Sequence, residues 1–267
     1  MTTTIRCAAL ACMPVGYQLV LRAEEDQVLA PDVATRRAVA GTIRRIGRKH
    51  GLFGYGLADT HGHLGLLGDR SEAGRCAHDL RLALAGTVAA PLSTLAVHPI
   101  RDVWHAESTL AYMHRQDAHH GVGADPLREG TSLPDLCGLR PDGLWLADRV
   151  RAFIPRITRA ELLRQWGIGE LLEAFELGDL ANAEAAAAGL GVLRGKTPAV
   201  VEARVACVHA APAAGARALA ETLEISERSV ARLRRENADP RWVRAVRLQM
   251  GLRVVVRSSE GRVAALG

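Results

Sequence analysis

Residues 17–22 read Tyr-Gln-Leu-Val-Leu-Arg, alternating and rich in Val and Leu, which is the period-two signature of a strand. Residues 31–49 then place Val33, Val39, Ile43 and Ile46 at helical spacing, with Arg36, Arg37, Arg44, Arg45 and Arg48 on the exposed face and Gly51 as C-cap. Two closely joined, Gly-rich strands follow at 52–59 and 61–68. A second helix is expected at 71–85, with Ser71 as N-cap and a stop near Gly86. Leu95, Val97, Ile100 and Val103 mark 92–104 as a strand with a Pro-marked bend, and 107–119 reads as a third helix ending near Gly121. The order strand, helix, strand, strand, helix, strand, helix predicts an α+β domain. Its pattern is that of a ferredoxin-like sandwich, an antiparallel sheet with helices on one face, plus an added C-terminal helix.

Beyond this the pattern changes. Residues 126–155 carry Pro126, Pro134, Pro141 and Pro155 with Gly130, Gly138 and Gly143, and read as an irregular linker. Helical segments are expected at 158–165, 168–176, 180–190, 200–210, 212–222, 226–237 and 240–250, with 253–256 as a short strand or a frayed end. No repeat of fixed period is present. The predicted organisation is a first domain over 1–140, a linker over 141–160 and an all-α domain over 161–267.

No apolar run reaches the roughly 18–20 residues of a membrane helix. The first 21 residues lack a signal-peptide cleavage pattern, so the chain reads as cytoplasmic. The five cysteines, Cys7, Cys12, Cys76, Cys137 and Cys207, form no C-x-x-C pair, which argues against a disulfide framework or a zinc ribbon. Residues 211–267 hold 11 Arg and no Lys against 6 acids, a net +5 that equals the net charge of the whole chain. The last fifth of the chain therefore points to an anionic partner. Trp104, Trp145, Trp166 and Trp242 are expected to pack in cores.

His61-Gly62-His63 lies in the third predicted strand, where residues i and i+2 share a face, so the two imidazoles form a natural metal pair. Asp59 has the same parity and would complete a metal-hydrolase site. Tyr112 and Gln116 are four residues apart on the third predicted helix and share a face.

A strand with H-x-H followed about 50 residues later by a helix with Tyr-x-x-x-Gln resembles the single-tyrosine HUH transposases, closest to the REP-associated tyrosine transposases. Tyr17-Gln-Leu-Val-Leu-Arg22 looks like the opening strand of that family, and the likeness covers roughly residues 14–140. Gly62 replaces the usual hydrophobic residue between the histidines, Asp59-Thr60 replaces Pro-Asn, and Gln116 stands where Asn is common. The resemblance implies that His61, His63 and Gln116 hold Mg²⁺ or Mn²⁺, and that Tyr112 attacks single-stranded or hairpin DNA to give a 5′-phosphotyrosine. His114, His119 and His120 are candidate accessory groups.

Residues 216–236 read as a helix-turn-helix, with Ala220 in the first helix, the turn at Glu224-Ile225, and Ile225, Val230 and Leu233 as internal apolar positions. Ser226 is the expected N-cap of the second helix, and Glu224 replaces the usual turn glycine. Arg228, Arg232 and Arg235 would face duplex DNA, and Arg244 and Arg247 on the next helix would touch backbone phosphate. The expected protein is a nucleoid-associated, metal-dependent DNA strand-transfer enzyme, monomer or homodimer. The alternative is a domesticated, catalytically silent DNA-binding regulator.

Overall fold

Leu19 and Leu21 alternate with Gln18 and Val20 along the first strand, β1 (Gly16–Arg22), so one of its faces is apolar and fully buried. The structure, a computed structural model, describes residues 13–88, 90–93, 95–116, 129–166, 168, 176–191 and 193–264. Helix α1 (Val33–Gly47) follows β1, then β2 (Leu52–Leu57), β3 (His61–Leu67), α2 (Arg70–Leu84), β4 (Ala96–Ile100) and α3 (Val103–His114). The strands form one antiparallel sheet in the order β2-β3-β1-β4.

Two helix starts lie earlier than the sequence suggests. Helix α2 is capped by Asp69, not Ser71: its carboxylate accepts from the Glu72 N–H at 2.8 Å. Glu72 stands at the third helical position, so the cap has the Asp-x-x-Glu spacing of a capping box. Helix α3 starts at Val103, because Asp102 accepts from the His105 N–H at 2.8 Å.

The helices flank both faces of the sheet rather than one. The apolar face carries Leu19, Leu21, Tyr55, Leu64 and Leu66, and Arg44 of α1 reaches Tyr55 there at 3.2 Å. The opposite face carries Gly54 and Gly56 of β2, where α3 lies on it, and next to them the Phe53 ring covers Gly65. A Cβ on Gly56 would sit 2.1 Å from the Met113 carbonyl oxygen, and one on Gly54 would sit 2.4 Å from Leu110 Cδ1. Gly62 is accommodated in β3, where Leu57 Cδ2 fills the space a side chain would need, 2.7 Å from its ideal Cβ.

From residue 129 on, the expected linker is structured. Leu57 N–H donates to Gly130 O and Ser132 N–H to Tyr55 O, both at 2.9 Å, so this segment covers the outer edge of β2. Helix α4 (Leu133–Leu136) and helix α5 (Leu144–Phe153) follow and join the same core as the sheet, as does α6 (Arg159–Gln165). Asp135 is fully buried and accepts from Tyr55 Oη at 2.6 Å and from Arg140 Nη1 at 3.3 Å, with Arg44 Nε 3.6 Å away. Burial pushes the Tyr55 phenol up to about 12, and the Asp135 charge adds to it.

The remaining helices are α7 (Leu180–Ala188), α8 (Pro198–Ala210), α9 (Ala216–Thr222), α10 (Glu227–Leu233) and α11 (Pro240–Ala264). They surround a second core, and Leu248, Leu252, Val255 and Val256 of α11 reach back to the first. Residues 253–256 are therefore helical. The predicted segment 168–176 falls mostly outside the described residues. Trp145, Trp166 and Trp242 pack against the cores as expected, whereas Trp104 is 69% exposed. Among the described residues no helix is long and apolar enough to cross a membrane.

Removing one member of a buried ionic cluster strands its partners. Asp135→Ala should destabilise the chain by about 3–5 kcal/mol, because two guanidinium groups lose their buried counter-charge. Urea denaturation monitored by circular dichroism measures this, and an unchanged midpoint would show that the cluster contributes nothing to folding.

Candidate active site

Strand pairing sets the first half of the site. His61 stands opposite Arg22 and His63 opposite Val20, so the face that carries both histidines also carries Gln18, Val20 and Arg22 of β1. Helix α3 supplies the second half. With the glycines of β2 beneath it, the helix lies close enough for Tyr112 to reach His63. The His61 and His63 ring centroids are 5.1 Å apart, edge to face. The His63 and Tyr112 centroids are also 5.1 Å apart, again edge to face. Gln116 Nε2 lies 3.1 Å from His61 Nε2. All four side chains anticipated from the sequence therefore meet at one place.

The polar atoms fix tautomers. An amide nitrogen can only donate, so His61 Nε2 accepts from Gln116 and the ring proton sits on Nδ1, 3.3 Å from Thr60 Oγ1. That lone pair is engaged by the Gln116 amide, and a half-turn of the amide would free it and bring Oε1 beside it. Gln18 Nε2 donates to His63 Nδ1 at 2.9 Å. A half-turn of the Gln18 amide would instead accept a proton on Nδ1 and present the Nε2 lone pair of His63. Gln116 is buried, and its Oε1 has no hydrogen-bond partner among the described residues. A buried amide oxygen in that condition is costly unless something accepts its lone pairs.

Two imidazole nitrogens and one orphaned amide oxygen are a donor set that fits a divalent cation such as Mg²⁺ or Mn²⁺. Among the described residues no three His, Cys, Asp or Glu side chains gather to hold a metal ion. Asp59 lies exposed in the turn between β2 and β3 and does not join the two histidines in such a group.

Other expectations fare differently. His114 is buried at the end of α3, on its inner side, with Nε2 2.9 Å from Ser132 Oγ, and belongs to the core rather than to the site. Burial, helped by the Arg115 charge, pushes its imidazole from 6.5 down to about 3. It is neutral at ordinary pH and cannot serve as a cationic phosphate contact. His119 and His120 lie outside the described residues.

The sequence reading missed Gln18 and Arg22. Their signal was the alternation over 17–22, which puts Gln18, Val20 and Arg22 on the side opposite Leu19 and Leu21.

In the C-terminal helices, α9 and α10 are joined through Glu224, whose φ of 51° is the left-handed conformation usually left to glycine. Ser226 caps α10, accepting from the Ser229 N–H at 3.1 Å, and Val230 and Leu233 are buried as expected. Arg228, Arg235 and Arg244 are exposed and have no ion-pair or hydrogen-bond partner among the described residues. Arg232 is exposed 3.8 Å from Glu236. Arg247, expected on phosphate, donates to the Ala210 and His209 carbonyls at 3.2 and 3.3 Å and so satisfies the end of α8.

No family model, curated protein or solved structure matches the chain.

The His114 shift makes a signed prediction. The unfolded imidazole takes up a proton below about 6.5, while the folded one resists until about 3. This residue therefore lowers stability as pH falls through that window. His114→Gln keeps a donor toward Ser132 without the titration. Its unfolding free energy should fall less than that of the parent between pH 7 and pH 4, measured by urea denaturation at both. Equal losses would place the titration elsewhere.

Proposed function

We propose that the chain is a metal-dependent, single-tyrosine nuclease and strand-transfer enzyme of the HUH transposase type, acting on single-stranded or hairpin DNA. The observation that carries the reading is the convergence of His61 and His63 from β3, Tyr112 from α3, and Gln116 from just beyond the end of α3, which stops at His114 rather than continuing past Gln116 as expected; a buried Gln116 oxygen is left over for a cation. The strand order β2-β3-β1-β4 is also that of a ferredoxin-like sheet, which supports the resemblance.

His61, His63 and Gln116 would hold Mg²⁺ or Mn²⁺, which would supply Lewis-acid polarisation of the scissile phosphodiester. Gln18 orients the His63 ring by its bond to Nδ1. Tyr112 is 36% exposed, so its Oη can reach a strand from solvent and release its proton there. Attack of Oη forms a phosphorus–oxygen bond to tyrosine and breaks the one to the 3′-oxygen, which leaves as a hydroxyl after taking up a proton. Attack by a 3′-hydroxyl reverses the exchange and returns the proton to Tyr112. One phosphoester bond forms for each one broken, so resealing needs no nucleotide cofactor.

The C-terminal helices fit a helix-turn-helix on duplex DNA. The left-handed Glu224 supplies the turn, Arg228 and Arg232 line the exposed side of α10, and Arg235 is exposed just beyond its end. Arg244 remains a candidate for backbone phosphate, while Arg247 is engaged within the protein.

The test is cleavage of a library of single-stranded hairpin oligonucleotides with Mn²⁺. Tyr112→Phe should abolish cleavage without unfolding the chain. His61→Ala and His63→Ala should lower it at least about a hundredfold, and Gln116→Ala less, because water can replace one neutral oxygen ligand. Cleavage that persists in Tyr112→Phe, or that is equal in EDTA and Mn²⁺, would overturn the mechanism.

A further inference from the structure

Three of the four tryptophans pack against a core, and Trp104 does not. It is 69% exposed in the first turn of α3. Trp104, Ser108 and Tyr112 are four residues apart in turn, so they run along one side of the helix. Ser108 is exposed, and its hydroxyl turns back to donate to Trp104 O at 2.9 Å, so no large side chain separates the two rings. Trp104 and Tyr112 are the exposed aromatic residues of the described chain.

The indole is held in place. The Arg156 guanidinium carbon stands 3.8 Å from its ring centroid, and Arg156 is paired in turn with Glu107. One face of the ring is covered by a cation and the remainder is open. A large aromatic fixed by a cation–π contact loses little further freedom when something stacks on it. The charge around it favours an anion. Arg101 and Arg115 are exposed at the two ends of the stripe, and Arg22 is exposed on the sheet face beside His61. Of the nearby acids, Glu107 is neutralised by Arg156 and Asp102 caps the helix.

We propose that Trp104 is a stacking platform for an unpaired nucleobase, and that the stripe from Trp104 to Tyr112 is the track along which a single strand reaches the nucleophile. Eight helical residues span about 12 Å. At about 3.4 Å per stacked nucleotide, the stacked base lies three to four nucleotides from the phosphate at Tyr112. Every base has a π face, so the contact selects unpaired bases over duplex without reading sequence. Stacking at Trp104 presupposes the single-strand reading of the site given above, but it needs neither the metal nor the reaction.

The experiment is equilibrium binding of a labelled 20-nucleotide deoxythymidine strand, and of a 20-base-pair duplex, to the full chain in EDTA. Trp104→Ala should weaken single-strand binding between about fivefold and a hundredfold, Trp104→Phe should restore most of it, and duplex affinity should not change. Thermal unfolding should be the same for all three proteins. Single-strand affinity within twofold of the parent for Trp104→Ala, a Phe variant as weak as the Ala variant, or an equal loss on duplex would each overturn the proposal. The enzymatic reading fails separately. If no metal-dependent cleavage occurs while binding still depends on Trp104, the platform stands and the nuclease does not.

Discussion

Helix α3 can lie against strand β2 only because Gly54 and Gly56 present no side chains to it. A methyl group on Gly56 would overlap the Met113 carbonyl, and backbone cannot rotate away as a side chain can. That approach brings Tyr112 within ring contact of His63 and lets Gln116 meet His61 one turn later. A helix held a side-chain layer further out would leave the histidines bonded to β1 and the tyrosine in solvent. The chemistry assigned to these four residues follows from the spacing between one helix and one strand.

The other face of β2 explains why that strand is rigid enough for the task. Tyr55 points away from α3 into a buried cluster with Asp135, Arg44 and Arg140. Burial works against the Arg44 charge, but Asp135 outweighs it, and the guanidinium titrates above its ordinary range. The same chain segment that provides Asp135 also pairs with the outer edge of β2. The strand that receives α3 is thus clamped on its edge and on its far face, while the half-sheet of β1 and β4 beside the histidines stays more open. Gln18 and Arg22 stand there, half-buried and exposed respectively.

Much of this was legible in the residues. The alternation at 17–22, the paired histidines, the Tyr-x-x-x-Gln spacing and the Ser226 cap each map onto the structure within a residue or two. What was hidden depends on tertiary contacts. The Pro- and Gly-rich stretch after residue 126 carries a weak local pattern, yet part of it forms the buried edge and charge cluster, because Asp135 and Arg140 find partners distant in sequence. Glycines at 54 and 56 look like flexible points in isolation, and only a helix packed above them reveals a steric requirement. The Arg247 side chain has the composition of a phosphate ligand, but the end of α8 lies within its reach. Trp104 was expected inside on residue type alone. Its place in the first turn of α3, ahead of the buried Ala106 and Leu110, puts it on the outer side.

The central claim is that Tyr112 is the nucleophile. The most direct measurement is to incubate the full chain with a single-stranded hairpin substrate and Mn²⁺, digest with trypsin, and locate any covalently attached nucleotide by tandem mass spectrometry. Cleavage after Arg101 and Arg115 releases residues 102–115, in which Tyr112 is the one tyrosine. The account predicts a phosphonucleotide on Tyr112 in that peptide, lost when His61 or His63 is replaced. Attachment at Ser108, Thr109 or a residue outside the peptide, or strand cleavage with no covalent adduct, would contradict it.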